Sequence, residues 1–179
     1  MTRLGDALAA LTIKTTSPDG LVLVTAQGKR PPRIGFEFAE DYEDYQSPIE
    51  LADQIAAALE TAVAANLAER SRIVSQLSRL RVADGSADDS GYHGKVQNLI
   101  CSGMSADGAV STATTGLREW TVRIDESLEA MSTSDFCRAV NSAIADAYRD
   151  HSRQVYELKR SLFGEVGPAR RHSTLRSNR

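Results

Sequence analysis

The chain has 179 residues, 41% of them hydrophobic, and a net charge of −3, enough apolar matter for one packed domain or two small ones. The negative sum excludes a protein that coats nucleic acid over its whole surface, and no run approaches the roughly 20 consecutive apolar residues of a membrane span. The N-terminal residues carry Asp6 and no long apolar run, and Cys101 and Cys137 form no CxxC or Cys/His spacing, so a cytoplasmic protein with reduced cysteines and no metal is expected.

Charge is unevenly spread. Up to Glu69 there are five Lys/Arg against eleven Asp/Glu, and from Arg70 onward sixteen against thirteen. The stretch from Lys159 to Arg179 holds six basic residues and one acid, a composition that solubilises a tail or attracts a polyanion.

In chain order, residues 11–20 line up with residues 99–108 at an offset of 88. Both stretches end in a turn sequence, Ser17-Pro18-Asp19-Gly20 and Ser105-Ala106-Asp107-Gly108, with glycine in place for a positive φ. A short β-branched strand follows each, residues 21–26 and 109–114. Gly28 and Gly116 mark the next turn. Alternating apolar residues then predict a second strand over 33–38 and over 120–125, and the same offset pairs Ile34 with Val122 and Phe36 with Ile124. Ser47-Pro48-Ile49-Glu50 has the capping serine, first-turn proline and third-position glutamate of a helix start, and Ser132-Thr133-Ser134-Asp135 is a looser version of it. Leu51, Ile55, Leu59, Val63 and Leu67 recur at helical spacing, as do Phe136, Val140, Ile144, Ala147, Val155 and Leu158. The first helix is predicted to run to about Leu80 and the second to near Gly164.

The expectation is therefore an α+β chain of two tandem, diverged units, each a small antiparallel sheet followed by a long helix. The first unit spans 1–82, a linker 83–95, the second unit 96–164 and a basic, disordered tail 165–179. One sheet and one helix bury little, so the two units are expected to pack together as a pseudo-dimer.

No nucleophile elbow, zinc-binding helix or phosphate-binding glycine loop is present. His93 is expected in the linker, His151 as a partly buried helix residue and His172 in the tail. The acidic run 40–45 lacks the ligand spacing of a hard-cation loop, and Trp120 is read as core or interface. A non-enzymatic protein without cofactor is expected. The better lead is basic: Arg70, Arg72, Arg79 and Arg81 late in the first helix, and Arg149, Arg153, Lys159 and Arg160 late in the second. Such residues stabilise the negative end of a helix, and two equivalent clusters would also make a pair of phosphate-contacting arms.

Residues 115–125, Thr-Gly-Leu-Arg-Glu-Trp-Thr-Val-Arg-Ile-Asp, followed by a helix carrying Phe136, Ala139, Asn141, Ala143 and Ala147, resemble the YbaB/EbfC family, in which a glycine turn leads to a strand of the type x-V-x-I-D and then a long alanine-rich helix. Gly28, Ile34, Phe36 and the Leu51 helix are similar in the first copy. The resemblance covers about 50 to 60 residues of each half. It implies a compact α+β fold, usually homodimeric, that acts as a nucleoid-associated DNA-binding protein with helices as paired arms. Two units in one chain would make that dimer internal, and residues 2–10 stand where the family has a long helix. The DNA-binding residues implied are Arg70, Arg72, Arg79, Arg81, Arg149, Arg153, Lys159 and Arg160, with Arg170 and Arg171 of the tail. The alternative is a protein-binding adaptor or chaperone-like accessory, as among divergent relatives found beside type VII secretion systems.

Overall fold

The structure, a computed structural model, describes residues 4–28, 32–39, 47–78, 90–125 and 131–163. The acidic run 40–45, Arg79, Arg81, residues 83–89 of the expected linker, His172, and the tail with Arg170 and Arg171 lie outside the described residues.

The order is α1 (Leu4–Ala9), β1 (Thr12–Thr16), β2 (Val22–Gln27), β3 (Arg33–Phe38), α2 (Pro48–Ser78), α3 (Ser90–Gln97), β4 (Ile100–Met104), β5 (Val110–Thr115), β6 (Glu119–Ile124) and α4 (Thr133–Phe163). The strands form two three-stranded antiparallel sheets, β1-β2-β3 and β4-β5-β6. Each sheet is followed by a helix of 31 residues, and the chain is α+β as expected.

The first turn of each sheet shows why the two copies fold alike. Ser17 Oγ donates to Asp19 and accepts from Val22 N at 2.9 Å, and Asp19 Oδ1 accepts from Leu21 N at 3.0 Å. Ser105, Asp107, Ala109 and Val110 repeat the set at 2.6, 3.1 and 3.0 Å. Serine and aspartate thus satisfy the backbone N–H groups that a tight turn would orphan. Gly20 and Gly108 close the turns at φ of 83° and 77°, where a side chain would clash with the backbone.

Beyond this point the match between copies is better than the sequence alignment suggested, but in a different register. Val24 pairs with Phe36 and Ala26 with Ile34, while Thr112 pairs with Val122 and Thr114 with Trp120. The counterpart of Ile34 is therefore Trp120, and that of Phe36 is Val122, correcting the pairing at constant offset. The turn before β6 is two residues shorter than that before β3. A two-residue slip preserves which face of a strand is buried, so the sequence pattern survives it. A further residue is lost before the helix, and α2 and α4 then run in step at an offset of 85.

A second difference concerns the linker. Its residues 90–95 are helical and belong to α3, which ends at Gln97 as α1 ends at Ala9, 88 residues earlier. The repeated unit is thus helix, three strands, helix.

Both long helices start on a capped serine. Ser47 Oγ accepts from Ile49 N at 3.2 Å. Ser132 Oγ accepts from Asp135 N at 3.2 Å and donates to the Asp135 carboxylate at 2.7 Å. Leu51, Ile55, Ala58, Leu59 and Ala62 of α2 and Phe136, Val140, Ala143, Ile144 and Ala147 of α4 are buried, one stripe on each helix. They meet Val22 and Val24 of β2 and Val110 of β5 in a single core that includes residues of both copies.

The copies touch by crossed contacts. Helix α2 packs on β1 and β2 of its own sheet and on β6 of the other, while α4 packs on β4 and β5 and on β3. Phe36 and Phe38 of β3 meet Phe136 of α4 with ring centroids 6.3 and 5.8 Å apart. Side chains also close the outer strands. Asn141 of α4 accepts from Phe36 N at 2.9 Å and donates to Phe36 O at 3.0 Å, and Glu60 of α2 accepts from Trp120 N at 2.8 Å.

Candidate functional site

Burial stops partway along each long helix. No residue of α2 from Leu67 to Gln76 and none of α4 from Tyr148 to Leu162 is buried, so these last turns contribute half-buried and exposed side chains only. The described basic candidates, Arg70, Arg72, Arg149, Arg153, Lys159 and Arg160, all stand on these turns.

They do not form two equivalent clusters. At the offset of 85, Arg70 and Arg72 correspond to Val155 and Glu157, and Arg149, Arg153, Lys159 and Arg160 to Ala64, Ala68, Val74 and Ser75. Arg70 is half-buried and its Nη1 donates to Gly28 O at 3.4 Å, which holds it against the turn before β3. Arg72 is paired with Glu69, three residues back on the same helix. The Lys159 ammonium lies 5.8 Å from the centre of the Tyr92 ring, a cation–π contact with α3.

Arg149, Arg153 and Arg160 do share a face. With Tyr156 they fall at positions i, i+4, i+7 and i+11 of α4, one helical stripe. Arg138, absent from the sequence-based candidates, extends it. Arg138, Arg149 and Arg160 are each eleven residues apart, which is about three turns and about 16 Å of helix per step. Arg138, Arg149 and Arg153 are 74%, 73% and 70% exposed, and each pairs with the aspartate three residues earlier, at 2.6, 3.1 and 2.6 Å. Exposed pairs such as Arg138–Asp135 and Arg149–Asp146 contribute only about 0.3–0.5 kcal/mol each, so a phosphate can displace the carboxylate from those guanidinium groups at small cost.

Two of those aspartates have a structural task. Asp146 accepts from Met104 N at 3.2 Å, Asp150 accepts from Ser102 N at 3.1 Å, and Gln154 donates to Ile100 O at 2.9 Å. Three side chains at i, i+4 and i+8 of α4 thereby satisfy the outer edge of β4. The Asp150 carboxyl is held below its ordinary range by Arg153 first and by the Ser102 N–H next. In the first copy the corresponding residues are Thr61, Ala65 and Glu69, and the outward N–H groups of Lys14 and Thr16 on β1 have no hydrogen-bond partner among the described residues. One sheet edge is closed by its helix; at its counterpart no such closure is present among the described residues.

The remaining feature is a groove of about 430 Å³ between α2, α3, α4 and the turn that joins β5 to β6. His93 and His151 both line it. His151 is half-buried, as read from the sequence, whereas His93 stands on α3 and not in a linker. Among the described residues no group of three His, Cys, Asp or Glu is placed to hold a metal ion. Cys101 is buried, its thiol pushed up to about 11 by burial and by the charge of Asp150. No helix of the described residues is long and apolar enough to cross a membrane. No family model matches this sequence, and neither a curated protein nor a solved structure matches the chain.

Proposed function

We propose that this is a non-enzymatic binding protein that engages duplex DNA without sequence preference, through phosphate contacts along α4, as its resemblance to the YbaB/EbfC family implies. The observation that carries the reading is the exposed stripe Arg138, Arg149, Arg153 and Arg160 along one face of α4. Arginines repeating along one line suit a charged rod, because each neutralised phosphate releases a counterion and no base edge need be read. The crossed contacts between the two copies support an internal counterpart of the family's dimer. Of the other basic candidates, Arg72 joins the surface only if its pair with Glu69 opens, while Arg70 and Lys159 have structural partners.

A duplex shift assay on the full chain and on a chain ending at Glu165 tests this reading. Both should shift DNA at low salt and release it at moderate salt. A shift that disappears with the tail transfers the activity to Arg170 and Arg171, and no shift at low salt rejects DNA binding.

A second reading, a protein-binding adaptor, is favoured by the open edge of β1. Strand addition there would use the outward N–H groups of Lys14 and Thr16. Under this reading DNA is not shifted, and Lys14→Pro, which removes one of those donors, prevents capture of the partner bound by the unaltered chain.

A further inference from the structure

The groove beside α3 coincides with a difference between the two copies. In the first, Arg70 of α2 reaches the turn before β3 and bonds Gly28 O. In the second, Val155 stands at the position of Arg70, and Gly116 at that of Gly28. Val155 and Gly116 both line the groove. A short side chain replaces one that spans the corner, and about 430 Å³ stays open, within the usual size range of small-molecule sites.

The lining is chemically one-sided. Val63 and Leu67 of α2 and Leu117 of the turn supply apolar wall, Arg118 and Lys159 supply positive charge, and no carboxylate takes part. Tyr148 also lines the groove, with its hydroxyl buried beneath the wall. Leu117 itself has a φ of 59°, the left-handed region that costs a non-glycine residue about 1–2 kcal/mol. That strain places leucine, 7% exposed, in the groove wall and leaves Arg118 as the next residue at its rim.

We propose that this groove is a binding site for a small organic anion with a flat apolar body, such as an aromatic carboxylate or sulfonate. The body lies against Val63, Leu67 and Leu117, and the anionic group meets Arg118 and Lys159. This site is separate from the α4 stripe: Lys159 is one residue before Arg160 and turned about 100° from it around the helix.

Fluorescence titration of the full chain with anilinonaphthalene sulfonate, and in parallel with uncharged phenylnaphthylamine, tests the proposal. The native chain should bind the anion saturably at one site and more tightly than the neutral dye. Val155→Arg, which installs the side chain that fills the corner in the first copy, should weaken both dyes at least about tenfold. Arg118→Ala combined with Lys159→Ala should weaken only the anion, by about tenfold, the loss expected for a charge-assisted contact. These two rim residues are exposed, so the double variant tests the site even if Val155→Arg does not fold. Unsaturable binding, equal affinity for both dyes, or unchanged anion affinity in the rim variant would overturn the proposal.

Discussion

Single residues decide how closely helix and sheet approach. Gly103 of β4 faces α4 so tightly that an added Cβ would lie 2.1 Å from Ala143 O and 2.3 Å from Ala147 N. Its counterpart in β1 is Thr15, whose hydroxyl reaches Ala58 O at 3.4 Å, so the first copy keeps a wider gap. Gly103→Ala should therefore destabilise the protein by about 3 kcal/mol, the upper range for overpacking against backbone that cannot retreat. Thr15→Ala should cost about 1 kcal/mol or less, and urea unfolding of the two variants measures the contrast. Neither glycine nor threonine announces this in the sequence. The Ser-x-Asp-Gly turns were legible because their chemistry is local. The approach of β4 to α4 is set by residues about 40 positions away in the chain.

At the scale of elements, β2, β3, β5, β6 and the two long helices were readable from periodicity, β-branched composition and helix caps, whereas residues 11–20 and 99–108 were matched to each other without being assigned the strands β1 and β4. Helix α3 was not readable either. Its sequence, Ser-Gly-Tyr-His-Gly-Lys-Val-Gln, has two glycines in eight residues and adjoins a stretch of Gly, Ser and Asp, a composition that signals a linker. The slip of β6 against β3 was hidden for another reason: a shift of two leaves the alternation unchanged. Arg138 was missed because it lies in the first turns of α4, where a cation opposes the helix dipole and invites no functional reading. The aspartates of α4 were missed because carboxylates at i and i+4 look like a solvated face, and only the structure shows them closing β4. One of them, Asp150, shares a pH signature with the turn residue Asp107 and the helix-start residue Asp135. Asp107, Asp135 and Asp150 are all held below the ordinary carboxylate range, by Ser105, Ser132 and Arg153 first in each case. A depressed folded-state pKa stabilises above the unfolded value, and that stability is lost as pH falls through the folded one. The melting temperature should thus be level near neutral pH and drop below the ordinary carboxylate pKa of about 4. Asp150→Asn should flatten part of that drop while leaving the neutral-pH melting temperature lower.

The whole molecule is two copies of one unit whose duplicates have since diverged in use. Among the described residues the first copy leaves the β1 edge unbonded and sets Arg70 on its turn, whereas the second closes β4 with Asp146, Asp150 and Gln154 and has a groove beside Val155. Among the described residues the exposed arginine stripe lies on α4, so the proposed DNA contact runs along that helix. Its most direct test is the slope of log binding constant against log salt for duplex DNA, measured for the full chain and for Arg149→Ser with Arg153→Ser. If about four phosphates are neutralised, the slope should be near −3.6, about a hundredfold loss between 50 and 200 mM salt, and the double variant should lower it by about 2. A slope unchanged by removal of Arg149 and Arg153, or binding that is insensitive to salt, would contradict a DNA surface on α4.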